Sequence, residues 1–109
     1  MPEAEIPTIT TADLKAMLDG KEDFVLLDVR ATFMQKFTID DPRCKEVSLN
    51  ALHLKWKEIP PGKKIVLMDH IGKRTQVAGR FLAGKGFKNL VKVSGGYSQY
   101  IKDGYPVKK

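Results

Sequence analysis

An α/β fold in three layers is predicted, with a central sheet of about five mainly parallel strands and helices on both faces. Three observations predict it. Short apolar runs alternate along the chain with stretches of helical period. The runs are continuous instead of alternating, as in strands buried on both faces of a parallel sheet. Glycine or proline closes the helical stretches, leaving the short connections of βαβ crossovers.

Residues 1–8 are expected to form a tail or a short edge strand. "TTADLKAMLDG" is a helix that Thr11 can cap; Leu14, Met17 and Leu18 share a face, and Gly20 ends it. "DFVLLDV", Asp23 to Val29, is a buried strand. "ATFMQKF" suggests a helical turn and "EVSL", Glu46 to Leu49, a short strand. "ALHLKWKEI" is weakly helical and stops at Pro60-Pro61-Gly62. "KIVLM", Lys64 to Met68, is a second buried strand. A helix follows from Thr75, with Val77, Ala78, Phe81 and Leu82 as its apolar stripe and Gly84 and Gly86 as its stop. "NLVKV" is a third clear strand. "GGYSQYIKDG" opens on two glycines and continues as a helix with Tyr97, Tyr100 and Ile101 on its apolar side.

The 109 residues are read as a single domain, 1–109. Chains of this size bury roughly 60–70% of their unfolded surface, enough for a core without staples. No apolar run approaches the ~18 residues of a membrane span, and the acidic start lacks a secretory pattern. One cysteine makes no internal disulfide, which fits a reducing, cytoplasmic setting. The net charge of +6 favours anionic ligands or acidic partners. The basic residues read as spread along the chain, without an arginine-rich block or interleaved aromatics, so nucleic acid is not an expected partner.

Ligands of open parallel sheets sit beyond the carboxyl ends of the strands. Those ends are Asp28–Arg30, Asp69–Arg74 and Ser94–Gly96, and each follows an apolar run directly. The central one is the loop Asp69-His70-Ile71-Gly72-Lys73-Arg74, leading through Thr75 into a helix. Successive backbone N–H groups here would form an anion nest beside a helix N-terminus. The side chain of Asp69 is expected to occupy that nest itself, accepting N–H bonds from the loop. Lys73 and Arg74 either bind an external anion such as sulfate or thiosulfate, or Arg74 is satisfied internally by a carboxylate.

The segments "ITTADLKAML", "FVLLDVR" and "IVLMDHIGKRTQVAGRFLAGKGFKNLVKVSGGYSQYIKDGYPV" resemble the rhodanese-like domain family over almost the whole chain. The family pattern is a cysteine, four residues and an arginine, then Ser or Thr, a helix, "GF", a strand and "GG". Gly72, Arg74, Thr75, Gly86-Phe87 and Gly95-Gly96 match it. The resemblance implies the rhodanese architecture and sulfurtransferase ancestry, in which the loop cysteine carries sulfur as a persulfide. Asp69 stands at that position, and "DDPRCKEVS" replaces the usual "GHIPGA". A carboxylate holds no persulfide, so the covalent carrier is missing. The expectation is a non-catalytic module that binds a small anion or a protein partner. The alternative is sulfur transfer, through Cys44 or because Asp69 was engineered in place of a cysteine. Aspartyl phosphotransfer is disfavoured, because the loop is smaller than in phosphatase relatives.

The family pattern assigns Asp28 and Arg30 to architectural support of the loop, with direct contact to a ligand as the second reading. His70 is expected on the solvent rim, with no metal partner at a recognisable spacing, and no cofactor is implied. His53 and Trp56 are read as packing. Cys44 is expected at the amino end of its strand, a strand's length of about 17 Å from the loop. An ordinary surface or semi-buried thiol is expected; the alternative is a reactive one, its pKa lowered by Arg43 and Lys45 beside it.

Overall fold

The protein is described by a computed structural model covering residues 5–31 and 37–108. Most of the turn expected in "ATFMQKF" and the first four residues of the tail lie outside that range. The elements are β1 (Thr8–Ile9), α1 (Thr11–Asp19), β2 (Phe24–Asp28), β3 (Cys44–Glu46), α2 (Leu52–Lys55), β4 (Lys64–Met68), α3 (Thr75–Gly84), β5 (Leu90–Val93) and α4 (Gly96–Lys102). Single 3₁₀ turns, Leu49–Ala51 and Trp56–Glu58, flank α2.

The strands form one parallel sheet in the order β1-β5-β4-β2-β3. In β2 and β4, side chains alternate between two apolar cores. Val25, Leu27, Ile65 and Leu67 face Leu52 of α2 with Ala78 and Leu82 of α3. Phe24, Leu26, Val66 and Met68 face Leu14 of α1 with Tyr97 and Tyr100 of α4. Both faces being covered is what makes these strands continuously apolar in sequence.

The structure moves several boundaries. Thr10, not Thr11, caps α1: its hydroxyl accepts the Asp13 N–H at 3.0 Å, and the Asp13 carboxylate accepts the Thr10 N–H at 3.0 Å. The Thr11 hydroxyl instead donates to Asp103 beyond α4. β3 begins two residues earlier than "EVSL", because Leu26 donates its N–H to the Arg43 carbonyl at 2.9 Å and sets the register there. Val47 and Leu49 still donate to the carbonyls of Asp28 and Val29, prolonging the contact as an irregular edge. In α3 the buried side is Thr75, Ala78, Gly79 and Leu82, while Val77 is 56% exposed. A Cβ on Gly79 would stand 2.6 Å from Ile6, so the helix approaches the sheet through its glycine. Ile101 is also exposed, leaving Tyr97 and Tyr100 as the buried side of α4.

The "DDPRC" segment has a structural use. Arg43 donates to the carbonyls of Leu18 at 2.8 Å, Glu22 at 2.9 Å, and Met17 and Gly20 at 3.3 Å. Those are carbonyls at and just beyond the end of α1, which the helix leaves without partners. The same guanidinium grips Asp41 through Nε and Nη2 at 2.8 Å and lies 4.7 Å over the Phe24 ring. Arg43→Ala should cost about 2 kcal/mol in urea denaturation, with Arg43→Lys restoring less than half, since an ammonium lacks the planar fork. The Arg43 hydrogen bond holds the Asp41 carboxyl below its ordinary 3.8. A carboxyl lowered by folding adds stability that is complete above its ordinary value and is lost as pH falls through the lowered one. Arg43→Ala should therefore also flatten the acid limb of the stability profile below about pH 4.5.

Candidate functional site

β4 ends at Met68, and Asp69 turns inward with 1% of its surface exposed. One carboxylate oxygen accepts the Gly72 N–H, and the other accepts the Arg74 N–H at 2.5 Å. The loop thus wraps around the side chain of its own first residue. Thr75 is buried; its hydroxyl reaches the Gly72 carbonyl at 3.4 Å, which braces the turn from below.

The start of α4 closes the loop from the other side. Tyr97 donates its N–H to the Asp69 carbonyl at 2.8 Å, and Ser98 donates to that of His70 at 2.9 Å. Two N–H groups of the helix's first turn, those of Tyr97 and Ser98, are thus taken by loop carbonyls. This approach requires glycine at two points. Gly96 has φ +59°, and a Cβ there would meet the Asp69 carbonyl at 2.4 Å and its carboxylate at 2.9 Å. Gly72 has φ +90° and would meet the Gly95 nitrogen at 2.9 Å.

Beneath the loop lies a buried pair. Arg30 donates from Nη2 to Asp28 at 2.7 Å and from Nε to both its oxygens at 3.0 and 3.1 Å; the Arg30 N–H adds a bond at 3.0 Å. Both residues are nearly inaccessible, at 0% and 3%. The Arg30 guanidinium stacks 3.8 Å above the Tyr97 ring, whose hydroxyl accepts the Ile39 N–H at 3.1 Å. Side chains pinned on that many sides hold one geometry.

Asp69, Arg30, His70, Ile71, Lys73 and Arg74 line one hollow of about 230 Å³. His70, Ile71, Lys73 and Arg74 form its exposed rim, whereas Gly72 and Thr75 support the loop without lining the hollow. Among the described residues no carboxylate pairs with the Arg74 guanidinium; it is the backbone of Arg74 that satisfies Asp69. A larger hollow of about 420 Å³, between α1 and the C-terminal segment, has its lysines paired, Lys15 with Asp19 and Lys108 with Asp40. No group of three or more metal-ligating side chains comes together among the described residues. None of the described helices is long and apolar enough to cross a membrane.

Cys44 opens β3 and is half-buried, as expected, but the strand's length and the activation by its neighbours differ from the reading of the sequence. β3 is only three residues long and pairs Cys44 with Leu26 in mid-strand, so no five-residue strand separates it from the loop level; the side chain packs against the core that contains Tyr97. Its neighbours do not activate it, because Arg43 serves Asp41 and α1 while Lys45 pairs with Glu58 at 3.9 Å. Burial, then the nearby Asp28 and Glu46, push the thiol up to about 11. His53 is exposed, and Trp56 packs against the core beside it. Tyr97 was legible only as a buried helix residue; its place directly after Gly95-Gly96 was the signal that it meets the loop.

The family described as Rhodanese-like domain matches residues 10–103. A rhodanese-related protein from Thermoplasma volcanium has a crystal structure similar to this chain, at 31% identity and TM-score 0.82, covering 94% of this chain and 97% of that one. The reduced CoADR-RHD of Bacillus anthracis is similar at 26% identity and TM-score 0.75, over 87% of this chain and 16% of that one. An NAD-dependent persulfide reductase from A. fulgidus is similar at 27% identity and TM-score 0.68, over 84% and 15%. No curated protein matches the sequence.

The contact between α4 and the loop gives a direct test. Gly96→Ala should destabilise the protein by about 3 kcal/mol, through backbone strain and collision with Asp69. Gly104→Ala has φ +84° but open space around it and should cost about 1 kcal/mol. Urea unfolding of the two variants separates these outcomes.

Proposed function

The chain belongs to the rhodanese-like domain family, and on that premise we propose that it is a non-catalytic member, a binding module whose loop is filled by its own carboxylate. The observation that carries this reading is the pair of N–H bonds from Gly72 and Arg74 to Asp69. In a sulfur-transferring loop those donors would surround a thiolate and then its persulfide. Here they surround oxygen, which accepts no sulfane sulfur. An incoming thiosulfate would also meet the Asp69 carboxylate at the floor of the hollow; Lys73 and Arg74 at the rim favour it, while the charge of Arg30 is already matched by Asp28. Aspartyl phosphotransfer gains no support, because both carboxylate oxygens are already engaged by N–H groups.

A small anion held at the rim, or a protein surface docked over it, is the ligand this arrangement suits. Similarity to small parts of CoADR-RHD and of the persulfide reductase supports a role in company with another protein unit. The alternative, sulfur transfer through Cys44, asks for a thiolate at neutral pH. With the thiol at about 11, alkylation by iodoacetamide at pH 8 should run on the order of a hundredfold slower than for an ordinary cysteine.

A thiosulfate:cyanide assay tests the proposal. The native chain and Cys44→Ala should both stay at background, and Asp69→Cys should rise above it on the order of a hundredfold. Native turnover equal to that of Asp69→Cys would remove the proposal, and its loss in Cys44→Ala would transfer the chemistry to that thiol.

A further inference from the structure

The net charge is not spread evenly. Between His70 and Lys102 the sequence has five lysines and two arginines and no aspartate or glutamate. Those seven cations exceed the net charge of the whole chain, +6, so the remainder is slightly acidic. The carboxylate that opens this stretch, Asp69, is withdrawn into the loop at 1% exposure. Folding therefore displays the excess charge along the loop, α3 and the segment after it. The basic residues themselves are spread along the chain, as expected; the asymmetry comes from the acidic residues, all of which lie outside this stretch.

The exposed side of α3 continues the rim of the hollow. Arg74 stands one turn before Val77, and Val77 one turn before Arg80 and Phe81, so they form one stripe. Lys73, Arg74, Val77 and Arg80 are exposed, with Ile71 at 47% and Val77 at 56%. Further along, Lys85 lies 5.5 Å over the Phe81 ring and 5.2 Å over that of Trp56. The result is a basic surface with two isolated apolar contacts at its centre.

We infer that this loop–α3 face docks an acidic protein segment carrying a few apolar side chains, a helix or extended peptide with carboxylates around them. The inference rests on the binding-module reading and names the class of partner. Charge complementarity selects the carboxylates, which would meet Lys73 and Arg74 without displacing any acidic neighbour among the described residues. Ile71 and Val77 select the apolar residues, because burying them needs a partner that is not charged throughout. The same features argue against the other polyanions. Nucleic acid would use exposed rings for base stacking, but Phe81 and Trp56 lie against the core beneath Lys85. A bilayer surface would call for a broader apolar face than two side chains.

The probe is a synthetic peptide of about fourteen residues, four helical turns, glutamate-rich with leucine at helical spacing. It is titrated into the ¹⁵N-labelled chain at physiological salt. Controls are the same peptide with serine for leucine, oligothymidylate of equal charge, and phosphatidylserine vesicles. The leucine peptide should bind most tightly and shift the amides of Ile71, Lys73, Arg74, Val77 and Arg80. Val77→Glu and Lys73→Glu, on exposed positions, should keep the native spectrum and each weaken binding about tenfold. Equal binding of the serine peptide, preference for oligothymidylate or vesicles, shifts centred elsewhere, or no binding would overturn the inference. Failure of the binding-module reading has a different signature, thiosulfate turnover by the native chain, which this titration does not measure.

Discussion

The site depends on one constraint, that the buried carboxylate of Asp69 has to be satisfied by the loop that follows it. A polar group at 1% exposure costs free energy unless hydrogen-bonded, and among the described residues the bonds it accepts come from backbone N–H groups. Gly72 and Arg74 provide them, which fixes the curvature of the loop and the direction from which α3 departs. The backbone carbonyls of Asp69 and His70 then face outward and receive the first turn of α4. The side chain of Asp69 thus serves as the local scaffold.

That arrangement couples electrostatics to packing. The buried Asp28–Arg30 pair is supported by the Tyr97 ring, and Tyr97 is also the residue whose N–H reaches the loop. One helix start therefore positions both the floor and the wall of the hollow. A buried pair of this kind adds little net stability, because desolvation offsets much of the attraction. What it contributes here is a fixed direction for the guanidinium.

Much of this was legible in the sequence, and the exceptions have physical causes. The strands Phe24–Asp28, Lys64–Met68 and Leu90–Val93 announced themselves because burial on both faces demands unbroken apolar runs. Cys44–Glu46 did not, since an edge strand with intermediate and exposed positions carries no such run. The α3 stripe was misread at Val77 because a glycine can face a core without any hydrophobic signal, as Gly79 does. Asp69 as its own ligand followed from residue type and loop position. The alternative of an activated Cys44 fails because sequence neighbours on a strand point to opposite faces, and Arg43 is committed to α1. The charge asymmetry lay open in the order of residues but is invisible in their totals.

The order of the sheet has a further consequence. Its two outer strands are β1, of two residues, and β3, of three. An unpaired strand edge is a template on which other chains can add, and its hazard grows with its length. Two such short borders offer a neighbouring molecule only a few backbone partners. A basic, partly apolar face can therefore stay exposed for a partner while the sheet itself gives little foothold for self-association into fibrils.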